Sequence, residues 1–224
     1  SASVSEAVEP IIYYLDPGAP EPVKTALIKG GLWWNQAFES IGFKNAFQIK
    51  MLPEGADPLD VRFNVIQWVH RATRGWSYGF GVTDPRTGEI IKGHVTLGSL
   101  RVRQDYLIAQ GMLSRFNHEP LEFTSNGVSV DQELMDLALA RIRQLSAHEI
   151  GHTIGLAHNF AASSFGRASV MDYPHPLFEI DAKDQARLTA NNAYAENIGV
   201  WDKAAIAYGY QVFSAETEQQ ELDK

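Results

Sequence analysis

Five residues between positions 148 and 158 have the types and the spacing that a metal-dependent hydrolytic site requires. They form the pattern H-E-x-x-H-x-x-G-x-x-H, with His148, Glu149, His152, Gly155 and His158 at the fixed positions. Histidines four residues apart leave the same face of an α-helix, so His148 and His152 can bind one Zn²⁺. The glycine permits a left-handed turn that ends the helix and brings His158 to the same ion. The pattern predicts three protein ligands and one open position, which is typical of a catalytic zinc site.

A carboxylate beside the first ligand gives the predicted site a general base. Glu149 directly follows His148, close enough to the ion to hold a water molecule without ligating the metal. From that position it can accept the proton of a zinc-polarised water. The short pattern H-E-x-x-H occurs by accident in many helices, whereas the five fixed positions of the long form seldom coincide by chance. We therefore interpret the motif as one catalytic Zn²⁺ site.

At these residues the chain resembles the metzincin zinc metalloendopeptidases, the clan of astacins, serralysins, matrixins and pappalysins. Gly151 and Leu156 bring the local sequence closest to the matrixins, and the whole chain resembles the catalytic segment of large, uncharacterised bacterial metzincin-like proteins. The residue after the third ligand, Asn159, is atypical of astacins, serralysins and matrixins, so we assign no named family within the clan. The resemblance also implies a Met-turn beneath the metal, and residues 169–174 with Met171 fit it.

The resemblance further implies a role for the tyrosine two residues after Met171. Tyr173 matches the tyrosine that astacins and serralysins place near the zinc. Its phenol could bind the metal at rest or stabilise the oxyanion of the tetrahedral intermediate. The alternative is a tyrosine that only packs against the Met-turn.

The elements that must position these residues predict an α+β fold, with α/β-like order in the first half. The resemblance implies a metzincin-type twisted mixed sheet with a crossover helix, a long active-site helix, and a smaller C-terminal helical subdomain after the third histidine. Hydrophobic periodicity predicts strands at 11–15, 47–52, 60–70 and 90–97, and helices at 22–42, 101–118, 130–154 and 203–210, the last with Asp202 as N-cap. We expect a linker at 1–9, an N-terminal subdomain at 10–158, a C-terminal subdomain at 159–213 and a polar tail at 214–224.

The last predicted strand is the candidate for substrate binding. In the clan that the chain resembles, the strand before the active-site helix region is the sheet edge that rims the cleft. An extended peptide can add to such an edge as another strand. This implies contacts from Gly93, His94, Val95 and Thr96, although His94 could also be an ordinary exposed strand residue. A pocket for a substrate side chain would lie between the active-site helix and residues 174–178.

Composition limits the partners of the chain. Its 224 residues carry 19 basic and 27 acidic side chains, for a net charge of -8, and no basic stripe, so nucleic acid is not an expected partner. No apolar run reaches membrane-spanning length. The absence of cysteine excludes disulfides and fixes no redox compartment. Both ends are polar, so we expect further domains of a longer parent chain, with an extracytoplasmic location (secreted, periplasmic or cell surface) implied by the resemblance.

The resemblance implies a zinc-dependent endopeptidase that hydrolyses peptide bonds in a protein or peptide substrate. The alternative is a catalytically idle, zinc-stabilised module that binds a protein or peptide. Glu149 favours the enzyme, because a decayed site could lose its base and keep its ligands.

Overall fold

A computed structural model describes residues 4–73, 76–113, 123–124, 127–128, 132–173, 175–180, 188–189 and 192–223. In chain order its strands are β1 (Ser5–Glu6), β2 (Ile11–Leu15), β3 (Phe43–Lys44), β4 (Phe47–Met51), β5 (Asn64–Val69), β6 (Tyr78–Thr83), β7 (Ile90–Gly98), β8 (Phe123–Thr124), β9 (Gly127–Val128), β10 (Glu179–Ile180) and β11 (Leu188–Thr189). The helices are α1 (Val23–Leu32), α2 (Asn35–Ser40), α3 (Leu100–Leu113), α4 (Gln132–Thr153), α5 (Val200–Tyr210) and α6 (Glu218–Leu222), with a 3₁₀ helix at Phe160–Phe165.

A five-stranded mixed sheet is the frame of the fold, in the order β4-β2-β5-β7-β6. The first four strands run parallel, and β6 is antiparallel to β7. The parallel step from β2 to β4 passes through α1, because parallel neighbours need a crossover connection. The predicted α+β fold with a mixed sheet and a crossover helix is confirmed.

The long helix α4 is held by α1 and by the sheet. A Cβ on Gly30 of α1 would lie 2.0 Å from the carbonyl oxygen of Arg143, so the two helix backbones meet at van der Waals distance. Trp34, fully buried, donates from its indole N–H to the carbonyl of Ala147 at 2.9 Å. Ile150 lies in the same hydrophobic core. This packing fixes the part of α4 that carries the motif.

The C-terminal helix α5 closes the core from the other side. Its Ile206 is fully buried, and the ring of Tyr210 meets Phe38 edge-on at 5.3 Å. The Tyr210 hydroxyl donates to the carbonyl of Ile154 at 2.9 Å, just beyond the end of α4. α5 therefore contacts the chain where it leaves the active-site helix.

Several predicted boundaries differ from the structure for local reasons. The helix expected over 22–42 breaks after Leu32 and resumes at Asn35. The strand expected from position 60 begins at Asn64, because Asp60 forms a turn and accepts from the backbone N–H of Arg62 at 2.9 Å. Parts of two predicted helices, residues 114–118 and 130–131, lie outside the described residues.

The prediction that residues 93–96 form the edge of the sheet is wrong. β7 pairs with β5 on one side and with β6 on the other, so the backbone of Gly93, His94, Val95 and Thr96 is already covered. Their side chains are buried as well, and a Cβ on Gly93 would come within 2.1 Å of the Tyr13 hydroxyl oxygen. The edge is instead β6, formed by the glycine-rich stretch Y-G-F-G-V-T at 78–83.

The predicted division into a linker, two subdomains and a tail stays a prediction. Within the first segment, β1 pairs in parallel with β3, and α6 lies within the last. All five strands of the main sheet precede His158. In the part of the chain that the structure describes, no helix is long and apolar enough to cross a membrane.

Candidate metal centre

The three histidines of the motif come together at one point. One ring nitrogen from each of His148, His152 and His158 lies within 4.8 Å of the other two. The Nε2 atoms of His152 and His158 are 3.0 Å apart. Tetrahedral zinc with bonds of about 2.0–2.1 Å would separate two such nitrogens by about 3.4 Å, which is close to the separation between His152 and His158.

Backbone carbonyls fix which nitrogen of each α4 histidine faces the metal site. His148 donates from Nδ1–H to the carbonyl of Val170 at 2.7 Å, and His152 donates from Nδ1–H to that of Leu156 at 2.8 Å. The proton is therefore on Nδ1, and the lone pair is on Nε2. Among the described residues, the buried Nε2 of His148 has no hydrogen-bond partner. A buried lone pair without a partner fits a metal ion.

Burial also keeps these rings in the form that binds metals. Desolvation lowers the pKa of His148 to about 4, against the opposing effect of the hydrogen bond to Val170. Desolvation also lowers the pKa of His152. Both imidazoles are thus neutral near pH 7, as metal ligation requires.

The chain reaches the third ligand through a left-handed residue. Gly155 has a φ of 100°, a conformation that a Cβ would penalise. The N–H of Leu156 donates to the carbonyl of Gly151 at 3.0 Å, and that of Gly155 to the carbonyl of His152 at 3.2 Å, which together form a Schellman motif. The same turn carries His158 back to the cluster and supplies the Leu156 carbonyl that orients His152.

The predicted Met-turn lies under α4. Met171 is 1% exposed, and a Cβ on Gly151 would come within 2.3 Å of its Sδ. The Met171 carbonyl accepts from the N–H of Asn159 at 3.0 Å, which ties the turn to the residue after the third ligand. Pro174, which we included in the turn, lies outside the described residues.

A buried carboxylate that the sequence did not reveal braces this turn. Asp202 is fully buried and accepts at Oδ2 from the N–H groups of Val170, at 2.9 Å, and Gly199, at 2.7 Å. At Oδ1 it accepts from the hydroxyl of Ser169 at 2.6 Å. The predicted N-cap role is wrong: Gly199 is the N-cap of α5, and Asp202 is its third residue. The carbonyl of Val170 holds His148, so Asp202 supports this histidine of the cluster through one residue.

Glu149 is buried beside the histidines under the edge strand. It is 4% exposed, and desolvation raises its pKa to about 7. The positive charge of Arg141 and the backbone N–H of Gly79 act in the opposite direction. A Cβ on Gly79 would lie 2.0 Å from the Glu149 carbonyl oxygen, so β6 crosses α4 at backbone contact. A pKa near neutral suits a group that must accept and then release a proton.

Tyr173 stands beside the cluster and not in the core. Its side chain is 52% exposed, and its ring centroid lies 4.5 Å from that of His158 and 5.0 Å from that of His148. On the outer side it stacks on Phe160 at 5.8 Å. Burial and the charge of Glu149 raise the pKa of the phenol, which favours its protonated, donating form.

The structure does not bring the four predicted substrate residues to this cluster. His94 hydrogen-bonds through Nε2 to Gln67 at 3.1 Å and stacks on Phe80 at 5.4 Å. Gly93 packs on Tyr13, within the interface of the sheet with α4.

Comparison with known proteins relates the chain to a family model and to a solved structure. Residues 131–224 match the family model described as Met-zincin. Among solved structures, the crystal structure of archaemetzincin from Methanopyrus kandleri is similar, with 13% identity, 99% of each chain covered and a TM-score of 0.39. No curated protein sequence matches the chain.

The Met-zincin match includes α4, the Met-turn and α5. The three-histidine cluster and the buried methionine beneath it fall within the same matched region.

Proposed function

We propose that the protein is a zinc-dependent endopeptidase that hydrolyses peptide bonds with Glu149 as its general base. One observation carries the proposal: three imidazoles converge, two of them with their Nε2 lone pairs fixed towards the centre, beside a buried carboxylate. A purely structural zinc site takes four protein ligands, whereas this cluster offers three among the described residues.

The residues of the chain divide the chemistry between them. A Zn²⁺ on His148, His152 and His158 would acidify a water molecule and polarise the scissile carbonyl. Glu149 accepts the proton of the attacking water and passes it to the leaving amine. The Tyr173 hydroxyl, next to the cluster, donates to the oxygen that becomes negative in the transition state.

The substrate edge in this proposal is β6 and not β7. The outer side of β6 is unpaired in the described sheet, and this strand crosses α4 at Glu149. An extended peptide that pairs with Tyr78–Thr83 would lie next to the base. Tyr78 and Phe80, which are 39% and 47% exposed, offer aromatic surface for its side chains. An extracytoplasmic location remains part of the proposal by resemblance.

The test is cleavage of unfolded casein by the purified protein, before and after removal of metal by a chelator. We expect cleavage that stops on chelation and returns when Zn²⁺ alone is added back. The zinc content of each sample is measured in parallel by mass spectrometry. A protein that binds zinc but cleaves neither casein nor a mixed peptide library would support the idle binding module instead.

A further inference from the structure

One buried cation near the proposed site forms no ion pair with a described carboxylate. Arg141 is 6% exposed, about as buried as Glu149. Among the described residues its Nη1 has no hydrogen-bond partner, and its guanidinium faces the ring of Tyr194 at 5.6 Å. A buried cation without a carboxylate partner is costly, so its retention calls for a ligand.

The nearby acidic residue is already engaged by another arginine. Asp105 of α3, 1% exposed, accepts at Oδ2 from Nε of Arg101 at 3.1 Å. Its Oδ1 has no hydrogen-bond partner in the described part of the chain, and no described carboxylate forms an ion pair with Arg141. Asp105 and Glu149 both act electrostatically on Arg141, but in the described part of the chain neither forms an ion pair with it.

The position of Arg141 on α4 relates it to the site. Seven residues separate it from His148 and eleven from His152, so all three lie on one stripe of the helix. Seven residues rise about 10 Å, which an arginine side chain and a substrate side chain can bridge together.

The residue between Arg141 and His148 on this stripe is also incompletely bonded. Gln144, 2% exposed, donates from Nε2 to the carbonyl of Val170 at 3.2 Å. Its Oε1 has no partner among the described residues. The face of α4 between Tyr194 and the Met-turn therefore offers a guanidinium donor and an amide acceptor, a pair that suits a polar ligand.

We propose that Arg141 is a specificity residue that binds a carboxylate of the substrate next to the scissile bond. The inference rests on the proposed peptidase function. A carboxylate supplies the charge and the two acceptors that a guanidinium fork matches. It can come from an acidic side chain or from the terminal carboxylate of a short peptide.

The first experiment profiles cleavage sites in a proteome-derived peptide library. We expect glutamate and aspartate to be enriched at one fixed position beside the cleaved bond. Two pairs of synthetic peptides are then compared. The first pair carries Glu or Gln at that position. The second pair is shortened to end at that position, with a free carboxylate in one peptide and an amide in the other. At least one acidic member should be cleaved with kcat/KM about 10-fold or more above its neutral partner.

Two arginine variants assign the preference. Arg141→Gln should bring the ratio of kcat/KM for the acidic peptide to that for its neutral partner close to one. Arg103→Gln, which changes an exposed arginine of α3, should leave this ratio unchanged. Because Arg141→Gln removes a buried charge that forms no ion pair with a described carboxylate, its melting temperature should match or exceed that of the parent. The Kd of the same peptides is also measured on zinc-loaded Glu149→Gln protein, with and without Arg141→Gln. This comparison gives the preference for the acidic peptide in binding, without turnover.

The outcomes separate this inference from the function on which it rests. Cleavage without acidic preference, or a preference that survives Arg141→Gln, would overturn the role of Arg141 and leave the peptidase standing. Failure of the parent protein to cleave any library peptide would remove both. A marked loss of melting temperature in Arg141→Gln with an unchanged ratio would make Arg141 a structural residue.

Discussion

Backbone carbonyls orient the two histidines of α4, because each histidine donates its Nδ1–H to one of them. Val170 accepts from His148, and Leu156 accepts from His152. Outer partners of this kind fix the tautomer and raise the basicity of the ligand. The ligands follow from the spacing of the motif. The carbonyls come from a turn and a loop whose positions only the folded chain defines.

Tyr173 gives the first prediction at this scale. If its phenol stabilises the oxyanion, Tyr173→Phe should lower kcat by about 10²–10³-fold with little change in KM, because the hydrogen bond forms only in the transition state. Zinc content should stay at one per chain, since the three histidines remain. Steady-state kinetics on one peptide and metal analysis of the same sample provide the measurement.

The matched control is Tyr208→Phe, which removes the hydroxyl of another exposed tyrosine, on α5. It should leave kcat unchanged. Tyr173 is half exposed and packs on imidazoles, so a packing role would show as a small stability change instead. An unaltered kcat in fully zinc-loaded Tyr173→Phe would take the residue out of the chemistry.

At the scale of elements, the site is assembled from α4, the Met-turn and α5. Asp202 of α5 holds Ser169 and Val170, and the carbonyl of Val170 holds His148. Desolvation raises the pKa of this carboxyl, and its three hydrogen bonds oppose the shift. The metal ligand thus depends on a helix that begins about fifty residues later in the sequence.

Asp202→Ala tests this dependence. It leaves the buried N–H groups of Val170 and Gly199 without acceptors, at a cost of about 1–3 kcal/mol each. We expect a lower melting temperature and zinc affinity reduced by about 10–100-fold, measured by competition with a chromogenic chelator. Glu218→Gln on the exposed helix α6 is the control. Unchanged zinc affinity in Asp202→Ala would contradict the supporting role.

A second prediction at this scale concerns the crossing of β6 over α4. Gly79→Ala places a methyl group 2.0 Å from the backbone oxygen of Glu149, so strand and helix must separate. We expect a loss of about 1–3 kcal/mol in unfolding free energy and reduced cleavage. Gly98→Ala at the end of β7 has nothing within 4 Å of the added atom and serves as the control. Equal stability of the two variants would disprove the close approach.

The elements show where the sequence sufficed and where it did not. The strands β2, β4 and β7 were predictable from their short runs of β-branched and aromatic residues. The helix α4 was predictable from the helical periodicity of its apolar residues. β6 was missed, since alternating glycine and aromatic residues lack the usual strand composition. That omission made β7 appear to be the edge. Asp202 was mistaken for a cap, because its partners in the Met-turn are far away in sequence.

At the scale of the whole molecule, a bound metal would tie α4 to the turn that follows it. An ion that binds the folded chain and not the unfolded one stabilises it by about 4 kcal/mol when its free concentration is 1,000 times Kd. Chelation should therefore lower the melting temperature of the parent protein. It should have a much smaller effect on His148→Ala, while His175→Ala, an exposed histidine, should respond like the parent. Equal responses of His148→Ala and the parent would exclude this cluster as the metal site.

The central claim is that Glu149 acts as the base at a metal held by three histidines. The measurement that tests it most directly is kcat/KM and zinc content of Glu149→Gln, determined on one preparation beside the parent protein. We predict one zinc per chain in both proteins and a loss of about 10²–10⁴-fold in kcat/KM, because an amide cannot accept the proton of water. Hydrolysis at the parent rate by zinc-loaded Glu149→Gln would contradict the account.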